Sequence, residues 1–114
     1  MTSEGVVRAY FAAYSEGHPE RFDELVSTDY VDYGHTLPGH GPQGARDDYE
    51  HAVEVTGGLI RYDIDALVAR EDTVAVVWTG HLANGSDYRG LSLYRVADGR
   101  VAEVRQSLIG PSPD

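Results

Sequence analysis

A chain of 114 residues, 41% of them hydrophobic, is material for one domain, able to bury roughly two-thirds of its unfolded surface with little surplus. Nine basic against nineteen acidic residues give a formal net charge of −10, and Arg46, Arg61, Arg70 and Arg89 are scattered, so nucleic acid is not an expected partner. No cysteine is present, which excludes disulfides and thiolate chemistry; with no long apolar run and no signal-peptide pattern after Met1, no membrane association and a cytoplasmic location are expected.

The spacing of Val6, Val7, Tyr10, Phe11 and Tyr14 predicts an amphipathic helix over residues 3–16. Thr2 or Ser3 can cap its first turn and Gly17 can close it. Pro19 opens a second, short helix, because proline is preorganised for the first helical position. Phe22, Leu25 and Val26 form its apolar side, and Thr28-Asp29 is expected to end it. A short strand over 30–33 follows, then a loop over 34–44 rich in glycine and proline. A third helix is expected from Gln43 or Gly44, with Ala45, Tyr49, Ala52, Val53 and Thr56 inward. Asp47, Asp48, Glu50 and Glu54 are assigned to its solvated face.

Gly57-Gly58 releases the chain into a strand over 59–69, where Ile60, Tyr62, Ile64, Ala66 and Val68 alternate with Arg61, Asp63 and Asp65. Residues 73–109 read as three further antiparallel strands. Val74, Val76 and Trp78 mark the first, a turn spans 83–87, and 88–96 forms the second. Ala97-Asp98-Gly99 is a tight hairpin turn, and 100–109 returns along it. Helices followed by an antiparallel meander define an α+β class: three N-terminal helices on a curved, mostly antiparallel sheet. Such a cone leaves a pocket at its mouth. Parity puts Trp78, Ser92, Tyr94, Val104, Gln106 and Leu108 on the inner face. Leu91 and Leu93 fall on the outer face, where a homodimer could bury them.

Several segments resemble the nuclear transport factor 2-like superfamily, and within it the SnoaL-like polyketide cyclases and ketosteroid isomerases. They are Val6-Val7-Arg8-Ala9-Tyr10-Phe11-Ala12-Ala13-Tyr14 with Glu16-Gly17, then Asp29-Tyr30-Val31-Asp32-Tyr33-Gly34, and a helix introduced by Gly44. Val74-Ala75-Val76-Val77-Trp78 and Tyr94-Arg95-Val96-Ala97-Asp98-Gly99-Arg100-Val101-Ala102-Glu103 complete the set. The resemblance implies a cone-shaped, cystatin-like α+β barrel, a single SnoaL-like domain over 1–110 and a tail over 111–114.

The resemblance also implies a site. Tyr10 matches the helix-one tyrosine that, in ketosteroid isomerases, donates a hydrogen bond to the developing enolate, and Ser92 stands where a protonated aspartic acid completes that oxyanion hole. The isomerases' base falls near Asp32 or Gly34, so Asp32 or His35 is the candidate base here. Gln106 occupies a place that is often acidic in the cyclases, and becomes an orienting group. Tyr14, Trp78, Tyr94, Val104, Gln106 and Leu108 are candidate substrate-binding residues; for Val104 and Leu108 plain core packing is the simpler alternative.

His35 and His40 lack a third ligand at suitable spacing, so no metal and no cofactor are expected. His18 and His51 read as helix-surface residues, and His81 as an outer-face residue. Arg61-Tyr62-Asp63 is similar to the Arg-x-Asp of limonene epoxide hydrolases, but parity turns the pair outward as a surface ion pair. Three expectations of function result. One is a cofactor-independent cyclase or isomerase moving a proton beside a carbonyl in a hydrophobic polyketide-like or terpenoid-like molecule. Another is a non-catalytic small-molecule-binding module. The last is an epoxide-opening enzyme, which needs two carboxylates in the pocket.

Overall fold

The computed structural model describes residues 1–33 and 40–110. Helix α1 (Ser3–Glu16) carries the expected apolar stripe, with Val6, Val7, Tyr10, Phe11 and Ala13 buried. Of the two candidate caps it is Thr2 that acts, its Oγ1 accepting the Gly5 N–H at 3.0 Å. A 3₁₀ turn over Pro19–Arg21 leads into α2 (Phe22–Leu25), which buries Phe22 and Leu25.

Strand β1 (Val26–Asp32) begins four residues earlier than the expected strand start. Val26 leaves the helix because its β-branched side chain is buried in the sheet, where it pairs with Val101. Helix α3 (Gly41–Thr56) likewise starts before Gln43, with Pro42 in its first turn, the same signal that Pro19 supplied. Gly41 adopts φ 65°, and a β-carbon there would meet the Thr28 carbonyl oxygen at 3.1 Å, so the glycine lets α3 start against β1. The remainder of the expected loop, 34–39, lies outside the described residues, as does the tail 111–114.

The other strands are β2 (Arg61–Arg70), β3 (Thr73–His81), β4 (Asp87–Ala97) and β5 (Arg100–Leu108). They form one curved five-stranded sheet in the order β1-β5-β4-β3-β2. All neighbours are antiparallel except β1 and β5, which run parallel. Asp98 (φ 53°) and Gly99 (φ 74°) make the β4–β5 turn, as the Asp-Gly pair predicts.

Inner-face parity holds along β3, β4 and most of β5, but fails halfway along β2. The pairing with β3 slips between Ile64 and Ala66, a bulge that adds one residue and turns the rest of the strand over. Tyr62 and Ile64 face the helices as expected. Beyond the bulge Leu67 packs against the core, whereas Ala66 and Val68, expected inside, are exposed.

Helix α1 lies across the concave face, touching β2 through β5, and α3 packs on β1. The core runs along that contact, from Phe22, Leu25 and Val26 through Val101 and Val104 to Val74 and Val76. Among the described residues, no helix is long and apolar enough to cross a membrane.

Candidate functional site

Between α1, α3 and the concave sheet lies a cavity of about 280 Å³. Tyr10, Phe11 and Tyr14 line it from α1, and Asp48 and Ala52 from α3. Asp32 enters from β1, while Val104, Gln106 and Leu108 come from β5. Tyr62, Trp78, Tyr88 and Tyr94 close the remaining wall. Leu108 is 46% exposed and stands at the mouth, whereas Tyr10 and Asp32 are almost wholly buried.

The parallel pairing of β1 with β5 sets Asp32 beside Val104 and hence next to Gln106, which lies two residues on and on the same face. A polar chain crosses the cavity floor from there. Trp78 Nε1 donates to Ser92 Oγ at 2.8 Å, and Ser92 Oγ donates in turn to Gln106 Oε1 at 3.5 Å. Gln106 Nε2 donates to Asp32 Oδ2 at 3.5 Å, and the Tyr30 hydroxyl donates to the same oxygen at 3.5 Å. The Tyr30 and Tyr10 hydroxyls are hydrogen-bonded to each other at 3.2 Å. The chain therefore runs from the indole to the helix-one tyrosine with the carboxylate in its path.

The phenols are kept as donors by their surroundings. Burial raises the Tyr10 pKa well above the ordinary phenol range, helped by Tyr30, Tyr94 and the Asp32 charge. Burial does the same first and foremost at Tyr14, Tyr30, Tyr62 and Tyr94. Each stays protonated through the physiological range and keeps an O–H to donate.

Aromatic rings fix the shape of the wall. Trp78 lies across Gly90, its cross-strand partner, where a β-carbon would stand 2.1 Å from the indole. The Tyr62 and Tyr88 hydroxyls meet at 2.9 Å and both rings pack edge-on against Trp78. Tyr10 and Tyr14 continue the aromatic surface with ring centroids 5.4 Å apart.

Of the residues singled out from the sequence, Tyr10, Tyr14, Asp32, Trp78, Tyr94, Val104, Gln106 and Leu108 all line this cavity. Ser92 is fully buried beneath Trp78 and Gln106 and is not among the lining residues. His35 lies outside the described residues. Among those described, no cluster of His, Asp and Glu could hold a metal ion. Arg61 and Asp63 pair at 2.8 Å on the outer face, where His81 joins them, so the epoxide-hydrolase-like pair does not reach the cavity.

Asp48 corrects the reading of α3. Expected on the solvated face with its charged neighbours, it instead lines the cavity with one carboxylate oxygen buried. Residues 45, 48, 49 and 52 form an i, i+3, i+4, i+7 stripe, so helical periodicity puts Asp48 on the inward side although its charge argues for solvent. Tyr30 and Tyr88 were also missed as site residues; each was visible only as a strand residue.

Three helices over a curved five-stranded sheet, enclosing an aromatic cavity with a buried acid in its wall, define the architecture as α+β. The family model of the SnoaL-like domain matches residues 7–104, so the chain belongs to the SnoaL-like domain family. Solved structures share its fold. A cystatin-like protein of unknown function from Methylobium petroleophilum PM1 superposes with a TM-score of 0.83 at 22% identity, over 98% of this chain and 78% of that one. IdmH from Streptomyces antibioticus, described as a candidate polyketide cyclase, gives 0.81 at 17% identity over 95% and 92%. A candidate isomerase of the SnoaL-like family from Agrobacterium tumefaciens gives 0.79 at 20% identity over 93% and 96%. Among curated proteins, none matches the sequence.

Proposed function

We propose that this chain is a cofactor-independent cyclase or isomerase that moves a proton next to a carbonyl in a hydrophobic small molecule. The observation that carries the reading is Asp32, a carboxylate only 2% exposed, set in the wall of an aromatic cavity and linked through Tyr30 to the phenol of Tyr10. A substrate carbonyl that accepts from Tyr10 would place its neighbouring C–H toward Asp32. As Asp32 takes the proton, negative charge grows on the enolate oxygen, and the Tyr10–Tyr30 hydroxyl pair stabilises it by donation. Gln106 orients Asp32. Ser92 acts one layer back, holding Trp78 and Gln106 in place rather than touching the substrate. His35 remains the alternative base. The test is solvent deuterium exchange at the α-carbon of a cyclic ketone, followed by NMR. The parent protein should accelerate exchange and Asp32→Asn should lose most of that acceleration; equal rates would remove Asp32 as the base.

A second reading, a binding module without chemistry, is favoured by one specific observation. The Ser92 hydroxyl proton is engaged with Gln106 and Tyr10 is engaged with Tyr30, so neither donor is aimed at a guest without rearrangement. Tight ligand binding with no exchange by the parent protein would favour this reading.

For assembly, we propose a homodimer through the outer sheet face. Leu91 and Leu93 are each 44% exposed there, side by side with Val77 and Ala75 on the neighbouring strand.

A further inference from the structure

Proton transfer at Tyr10 and Asp32 makes no use of two other phenols in the cavity wall. Tyr62 on β2 and Tyr88 on β4 both line the space, and their hydroxyls meet at 2.9 Å. Tyr88 lies across Gly80, its cross-strand partner, where a β-carbon would stand 2.5 Å from the ring. The Tyr62 N–H donates to Ser15 Oγ at 2.9 Å, which fastens this end of β2 to α1. The Tyr62 ring packs edge-on against Phe11 and Trp78, with centroids 5.9 Å and 5.2 Å away. Both hydroxyls are therefore held in place before any guest arrives.

A pair of phenols has two O–H protons and spends one of them on the bond between its oxygens. Neither hydroxyl has a further hydrogen-bond partner among the described residues, so one proton is left to donate. Burial raises both pKa values above the ordinary phenol range, and the phenols stay protonated at neutral pH. Ring packing alone would be met by phenylalanine at both positions; the hydroxyls add a donor at the cavity surface. This pair belongs to β2, whereas the Tyr10–Tyr30 pair belongs through Tyr30 to β1, at the opposite edge of the sheet. Tyr14 stands between them, its ring 5.4 Å from Tyr10 and 6.0 Å from Tyr62, so a two-ring molecule substituted at both ends spans them. We propose that the Tyr62–Tyr88 pair is a second oxygen-binding subsite, and that the cavity takes a flat hydrophobic molecule with a hydrogen-bond-accepting oxygen at each end. The inference rests on the cavity being the ligand site proposed above, whether or not protons move in it. In the enzyme reading, the substrate is a diketone or keto ether. Its reacting carbonyl sits at Tyr10, and the remote oxygen, held at Tyr62–Tyr88, fixes its position along the cavity.

The test compares two naphthalenes of one shape, titrated into the intact protein and followed by quenching of Trp78, the single tryptophan. One carries an acetyl group at each end. In the other, isopropenyl replaces one acetyl, so a methylene carbon stands where the second carbonyl oxygen was. The diketone should bind about three- to tenfold more tightly, the worth of one hydrogen bond. With Tyr62→Phe and Tyr88→Phe combined, the two compounds should bind equally, because the rings stay and only the hydroxyls go. Residues that merely pack would weaken both compounds alike and leave their ratio unchanged. Equal affinities in the parent protein, or an unchanged ratio in the double variant, would overturn the proposal. Should the double variant fail to fold, the single variants decide: at least one must lower the ratio, and an unchanged ratio in both overturns it. Binding of neither compound would remove the cavity reading and this inference with it. Equal affinities with Asp32-dependent exchange intact would sink this inference only, and a diketone preference without exchange would sink the enzyme reading only.

Discussion

Trp78 and Gly90 face each other across β3 and β4, and the indole occupies the space that a side chain at 90 would need. A β-carbon built at Gly90 would stand 2.1 Å from Cζ2 of Trp78, closer than any real contact. Because the strand leaves this space, the indole lies down on the sheet, Nε1 reaches Ser92 Oγ at 2.8 Å, and the volume above it stays open as cavity. Gly90→Ala should lift the ring, break that bond and fill part of the cavity, costing about 1–3 kcal/mol of stability. Trp78 is the single tryptophan, so its fluorescence reports the change directly. An unchanged emission spectrum and midpoint of unfolding would refute this account of the wall.

Ser92 tests the layer beneath. Ser92→Ala leaves the Trp78 N–H buried without its acceptor, a loss of about 1–3 kcal/mol. Urea unfolding should show it, and the exchange rate should fall less than in Tyr10→Phe. If Ser92→Ala matched Tyr10→Phe in lost rate while keeping full stability, Ser92 would be a direct donor after all.

Tyr10→Phe removes one hydroxyl of the Tyr10–Tyr30 pair and should slow α-proton exchange on the order of 10²–10³-fold. Ligand affinity should change little, because the ring and its contacts with Tyr14, Phe22 and Tyr94 remain. A fall in affinity with no fall in rate would make the tyrosine a packing residue.

His81 offers a pH prediction away from the cavity. Its two ring nitrogens each meet a carboxylate at 2.7 Å, Asp63 at Nε2 and Asp87 at Nδ1. Both nitrogens must donate, so the imidazolium is favoured. The hydrogen bond to Asp63, then that to Asp87, raises the His81 pKa above 6.5, and the same bond to His81 lowers the Asp63 pKa. The raised histidine pKa contributes stability that is fully present below the unfolded value and is lost as pH rises through the folded one. The lowered aspartate pKa contributes stability present above its unfolded value and lost as pH falls through the folded one. The NMR titration midpoint of His81 should exceed 6.5 and drop in Asp63→Asn. A midpoint at or below 6.5 contradicts the doubly bonded geometry.

The proposed dimer predicts that Leu91→Glu with Leu93→Glu converts the protein to monomers in sedimentation, with the cavity still able to bind ligand. Monomers at micromolar concentration in the parent protein would end that proposal.

Periodicity alone determined much of this molecule. The stripe of α1, the alternation in β3 and β4 and the Asp-Gly turn are local patterns, and each emerged where its spacing placed it. Parity along β4 and β5 was enough to set Tyr94, Val104 and Gln106 on the cavity side. Other features were decided only by tertiary structure. The bulge at Asp65 reversed the second half of β2, because one extra residue inverts every side chain beyond it and no local composition marks it. Asp48 faces the cavity because α3 packs on β1 and turns the 45–52 stripe inward, a choice that its charge argued against. The contact of Asp32 with Gln106 joins residues 74 positions apart through the parallel pairing of β1 with β5. A one-dimensional pattern tells which face a residue takes within its own element. Which elements become neighbours is settled by the packing of the whole chain, and the candidate site is made at those junctions.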